Sequence, residues 1–147
     1  MIRLLIVGYG NPLRSDDGLG WHIAQRLSHE VSAPDVRVIQ TQQLTLEIAE
    51  AANHAKHVLF IDARRAGPPG TLACEPISGG ATARHTHEVS PSSVLKLAAD
   101  LYGRAPSAHL LTITGDSFEA GESLSPAVVA AIPALMARLG EFLREAE

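Results

Sequence analysis

Apolar residues recur along this chain in two rhythms. Short uninterrupted runs lie at residues 2–7 (broken only by Arg3), 58–61 and 110–113, and a brief alternating run lies at 36–39. Continuous runs of this length suit strands buried on both faces of a parallel sheet. Residues 71–77 read as a further strand. Between these runs the apolar positions fall three and four apart, the spacing of a helix that buries one stripe. Trp21, Ile23, Ala24 and Leu27 form one such stripe, Leu44, Ile48, Ala49 and Ala52 a second, and Val94, Leu95, Ala98 and Leu101 a third. A fourth begins at Ser125-Pro126 and continues to about residue 143. Ser90-Pro91 and Ser125-Pro126 are helix-start signals, a capping hydroxyl followed by proline at the first helical position. Pro133 predicts a kink or break in the last helix.

The resulting order, β-α-β-α-β-β-α-β-α, predicts a three-layer α/β/α sandwich around a mostly parallel sheet of about five strands. No internal repeat, low-complexity tract or long linker divides the chain. At 147 residues it is expected to be a single domain over 1–147. Such a chain buries roughly 70% of its unfolded surface, enough to fold without disulfides or a structural metal. The formal net charge of -4 disfavours a sequence-independent nucleic-acid binder, which needs a basic face. The single cysteine, Cys74, has no internal disulfide partner and sits in a strand-like run, so a buried, inert thiol is expected. The N-terminal run is too short for a signal peptide, and no apolar run approaches the ~20 residues of a membrane span. A cytoplasmic monomer without membrane or nucleic-acid partners is the expectation.

Ligands of parallel α/β sheets sit beyond the carboxyl ends of the strands. Three loops leave such ends. The first is G-Y-G-N-P-L-R-S-D-D-G-L-G at residues 8–20, the second follows Asp62, and the third is Thr114-Gly115-Asp116. Either Asp16 or Asp17 can cap the helix starting near Gly18, which leaves the other free to face the crevice. Among seven histidines, His22, His29, His54, His57 and His109 lie in or beside regular elements, where satisfied or surface roles are the default. His85 and His87 instead lie in a loop just before a helix. Two aspartates and a histidine make a three-ligand site for a divalent ion, with positions left open for water or substrate. Other chemistries lack their signatures. No G-K-S/T ending marks a phosphate loop, and Leu13 occupies the third glycine position of a dinucleotide fingerprint. No G-x-S-x-G elbow or H-E-x-x-H helix is present.

Residues 7–20, V-G-Y-G-N-P-L-R-S-D-D-G-L-G, are similar to the G-N-x-L-x-x-D-D/E-G-x-G motif of the nickel-iron hydrogenase maturation endopeptidases. V-L-F-I-D-A at 58–63 and H-T-H-E-V-S-P at 85–91 follow in the family's order, so the resemblance covers nearly the whole chain. It implies an enzyme that removes the C-terminal extension of a nickel-iron hydrogenase large-subunit precursor. It further implies that nickel, supplied by the substrate, is contacted by Asp17, Asp62 and His87, with another divalent metal as an alternative and His85 as the alternative histidine. Gly10 and Asn11 would shape the loop, and Asp16 would cap the helix or orient Asp17 from behind. Residues 39–43, I-Q-T-Q-Q, lack the glycines of the family's D-G-G-T-like segment, which sets the substrate-contacting surface apart. Two other readings share these features. A peptidyl-tRNA hydrolase-like enzyme has a comparable G-x-G-N-P-G loop, but here Leu13 replaces its last glycine and the His-Asn pair expected downstream is missing. A non-catalytic nickel-binding maturation module would use the same three ligands.

Overall fold

A computed structural model describes residues 1–79 and 89–145. Among these residues five strands, β1 (Ile2–Tyr9), β2 (Val36–Thr41), β3 (Ala55–Arg64), β4 (Leu72–Pro76) and β5 (Ser107–Thr114), form one sheet in the order β2-β1-β3-β5-β4. The β2-β1-β3-β5 pairings are parallel, and β4 closes one edge antiparallel to β5. Among the described residues α1 (Leu19–Glu30), α2 (Ile48–Asn53) and α3 (Pro91–Tyr102) lie between strands, and α4 (Pro126–Arg144) follows β5. This is the three-layer arrangement that the alternating pattern predicts.

Side chains alternate across a strand, so each central strand feeds two cores. Leu4, Ile6, Leu59, Ile61, Leu111 and Ile113 face the layer made by α1 and α4. Leu5, Val7, Val58, Phe60 and Ala108 face α2 and α3. Burial on both faces is why residues 4–7 of β1 and 58–61 of β3 read as unbroken apolar runs. Arg3 interrupts the first run for a reason visible only in three dimensions. Its guanidinium pairs with Asp35 at 2.7 Å and donates to the Leu143 carbonyl at 3.0 Å, satisfying the end of α4. At the other end of the helices, Ser90 and Ser93 form a reciprocal capping box on α3, and the Ser125 hydroxyl accepts from the Val128 N–H on α4.

Four expectations need correction. Pro133 does not break the last helix, since α4 continues through it to Arg144. The proline removes the bond to the Val129 carbonyl, but Val129 is 51% exposed, so water can take that place, while Val128, Leu135 and Leu139 anchor both sides. The absence of any segment of membrane-spanning length fails for α4, which is long and apolar enough by length and composition. Its buried stripe lies instead on the sheet. Cys74 is only partly buried, because β4 is an edge strand. Finally, β3 runs on past the expected end at residue 61 to Arg64, so that Asp62 lies inside the strand and pairs with Thr112.

Candidate active site

The site begins as an extension of the α2/α3 core. In register across the sheet, Ile39, Val7, Phe60 and Leu110 form one row on that face. One alternation further toward the carboxyl ends, the same face carries Thr41, Tyr9, Asp62 and Thr112. The apolar layer is thus capped by a polar row, and Tyr9 stands beside Asp62. The Tyr9 phenol is close enough to the Asp62 carboxylate for each to shift the other's proton affinity, and the Ala63 N–H donates to Asp62 Oδ1 at 2.7 Å.

The glycine-rich loop then folds back over this row. Gly10 takes φ +144°, and a Cβ there would lie 1.8 Å from the Asp17 carbonyl oxygen. Gly20 lets α1 approach the strands, since a Cβ would meet the Ile61 carbonyl at 2.2 Å. Asn11 organises the turn through its side chain, which accepts from the Leu13 N–H at 2.9 Å. Its own N–H donates to Asp17 Oδ2 at 2.9 Å. Arg65, three residues beyond Asp62, reaches Asp17 Oδ1 at 3.1 Å while its guanidinium lies 4.3 Å from the centre of the Phe118 ring.

Asp16 has a different place. It does not cap α1, whose N-cap is Gly18 without a side-chain hydrogen bond. The carboxylate is fully buried and accepts from the N–H groups of Asp116 at 2.8 Å, Ser117 at 3.1 Å and Ser125 at 2.8 Å. It therefore ties the glycine-rich loop to the segment between β5 and α4. Burial alone would raise its proton affinity, but the N–H donors of Ser125, Asp116 and Ser117 outweigh it and hold the carboxyl below its ordinary range. The third loop, Thr114-Gly115-Asp116, does open on the same edge as the other two, and its contribution is to receive Asp16.

Asp17 and Asp62 line one cleft of about 870 Å³, together with Tyr9, Gly10, Asn11 and Arg65. Burial pushes the Asp62 carboxyl up to about 6, with repulsion from Asp17 adding to the rise, while Tyr9, the Ala63 N–H and Arg65 oppose it. The Tyr9 phenol is driven well above its ordinary range by burial and then by Asp62 and Asp17, so it remains a donor. Two converging carboxylates, one reluctant to ionise, are a donor set that a cation would relieve. Among the described residues no group of three His, Cys, Asp or Glu side chains converges. His85 and His87 lie outside the described residues. Val89, just after them in sequence, lines the same cleft. Tyr9 and Arg65 are absent from the residues that the sequence singles out. A period-2 extension of the Leu5–Val7 row would have found Tyr9, but nothing in the sequence announces the Arg65–Asp17 pair.

No family model and no curated protein matches the chain by sequence. Solved structures do. A hydrogenase 2 maturation peptidase from Thaumarchaeota archaeon SCGC_AB-539-E09 is 29% identical with a TM-score of 0.73, over 96% of this chain and 97% of that one. The hydrogenase maturating endopeptidase HybD from E. coli is 23% identical with a TM-score of 0.80, over 98% and 93%. The nickel-iron hydrogenase maturation protease HycI from Thermococcus kodakarensis KOD1 is 22% identical with a TM-score of 0.79, over 97% and 93%. The fold is thus shared, end to end, with hydrogenase maturation endopeptidases.

Proposed function

We propose that this protein is an endopeptidase that removes the C-terminal extension of a nickel-iron hydrogenase large-subunit precursor already loaded with nickel. The observation that carries the reading is the cleft formed by Asp17 and Asp62 in a fold shared over its whole length with maturation peptidases, one of them 29% identical. In this reading Asp17, Asp62 and a histidine, His87 with His85 as the alternative, contact the metal of the substrate. Such an ion, when bound, polarises a carbonyl or acidifies a water.

The chain's own groups then have distinct tasks. Without a cation, burial and repulsion from Asp17 hold the Asp62 carboxyl up at about 6, and a cation brought by the substrate would favour its ionised, metal-contacting form. Hydrolysis adds the water oxygen to the scissile carbonyl, breaks the C–N bond and returns a proton to the new amino group. Tyr9, beside Asp62 on the same face of the sheet, favours its ionised form. Arg65 holds Asp17 and balances its charge until the substrate's cation arrives. A cytoplasmic setting belongs to the same proposal.

The test is cleavage of a nickel-loaded precursor by the purified protein. Asp17→Ala, Asp62→Ala and His87→Ala are each expected to abolish processing while the circular dichroism spectrum stays unchanged. Processing by His87→Ala together with loss in His85→Ala would reassign the histidine. An intact extension in the presence of folded wild-type protein would leave only a non-catalytic binding module.

A further inference from the structure

The α2/α3 face of the sheet is covered unevenly. Val7 and Phe60 are fully buried under the two helices, but Ile39, their neighbour in the same row on β2, is only partly covered. A groove of about 500 Å³ opens there, with Arg37, Ile39 and Thr41 of β2 as its floor and Ile48 and Ala51 of α2 in its wall. Thr41 and Thr45 line both this groove and the cleft that holds Asp17 and Asp62. Groove and cleft therefore adjoin at the carboxyl end of β2, and the two carboxylates lie in the second of them.

The strand that floors it is also unpaired on its outer side. Among the described residues β2 pairs only with β1, which leaves a row of backbone N–H and C=O groups at the sheet edge. Such an edge is a template for an extended chain, with backbone bonds supplying affinity and alternate side chains supplying selectivity. From Arg37 to Thr41 the floor is about 13 Å long, which matches about four extended residues.

We propose that this groove binds, in extended form along β2, the stretch of substrate polypeptide next to the scissile bond, with one apolar side chain seated on Ile39. The proposal rests on the endopeptidase reading above and adds to it the surface that presents the bond to the carboxylates. An extended chain is the form that exposes its carbonyl to attack, and the direction of β2 delivers it to the cleft. That Thr41 and Thr45 line both the groove and the cleft with the carboxylates argues for the substrate as occupant.

Two measurements test it. With nickel-loaded precursor as substrate, Ile39→Lys is expected to raise KM about tenfold and to change kcat less than about twofold, because it removes binding remote from the chemistry. Val129→Lys, on the exposed side of α4, is the control and should match wild type. Separately, hydrogen exchange on the wild-type protein mixed with precursor should slow at residues 36–41 and 48–53. Wild-type KM in folded Ile39→Lys, or unchanged exchange on β2 while precursor is cleaved, overturns the groove. Slowing on β2 that rises with protein concentration in the absence of precursor assigns the edge to a second copy and also overturns it. If wild-type protein cleaves no precursor, the endopeptidase reading fails, and exchange on β2 still decides whether the precursor docks there. The exchange measurement also decides the matter should Ile39→Lys not fold.

Discussion

Asp16 and Asp17 are adjacent and chemically identical, yet they do opposite work. Asp16 is buried with three backbone donors around it, and Asp17 lies at the cleft with Arg65. Replacing Asp16 by alanine strands those three N–H groups without an acceptor, so Asp16→Ala is expected to lose about 3–5 kcal/mol in urea unfolding. The sign with pH follows from its lowered proton affinity. The contribution is present above the ordinary carboxylate range and is lost as pH falls through the still lower native value. Asp62 behaves in reverse. Its native midpoint, about 6 against 3.8, means that the folded protein holds the proton more tightly, so stability falls as pH rises between those values. The ionised form costs the fold up to about 3 kcal/mol. Asp62→Asn is therefore expected to melt above wild type at about pH 7.5 and close to it at about pH 4, while losing cleavage. Equal differences at both pH values would show that the effect is not ionisation.

At the scale of the element, local signals were legible where they act through neighbouring residues. Ser90-Pro91 and Ser125-Pro126 start α3 and α4 as the caps require. The signals misled where packing outweighs them. Pro133 predicts a kink or a break, and the break does not occur, because the stripe of Val128, Leu135, Leu139 and Phe142 holds α4 against the sheet on both sides of it. The lost backbone bond remains a cost. Pro133→Ala is expected to raise stability by about 1–3 kcal/mol by chemical denaturation, with the fold unchanged. A loss of stability would mean that the ring itself packs against something the helix needs. The cap reading of the two aspartates failed for a related reason. Asp16 finds better partners in the β5–α4 segment, about a hundred residues away in sequence, than in the first turn of α1.

For the molecule as a whole, the layered architecture leaves few apolar surfaces to share. Among the described residues the large exposed apolar side chains are Met1, Leu13, Leu46 and Val129, each in its own segment, and the adjacent pair Leu101 and Tyr102 at the end of α3. Among the described residues the sheet has two open edges, β2 and β4, and β2, the longer, offers more backbone groups to another copy. A monomer is expected in sedimentation velocity across the micromolar range. A dimer that forms with rising concentration would overturn that and point to β2.

The sequence by itself determined the α/β alternation, because burial on both faces writes itself as unbroken apolar runs and burial on one stripe as a 3.6-residue period. It also determined that loops after β1, β3 and β5 share an edge, since parallel strands put their carboxyl ends together. The loops that carry Asp17 and Asp62 were legible on that ground, and the choice of Asp17 over Asp16 came from the motif's resemblance. Only the tertiary structure decided that Tyr9 stands against Asp62, that Arg65 pairs with Asp17, and that Asp16 turns away from the cleft. Each of these depends on strand register or on contacts between distant segments, and neither leaves a periodic trace along the chain. The groove along β2 is of the same kind: it exists because α2 is short and leaves the edge strand bare, which is a property of how layers overlap and not of any one segment.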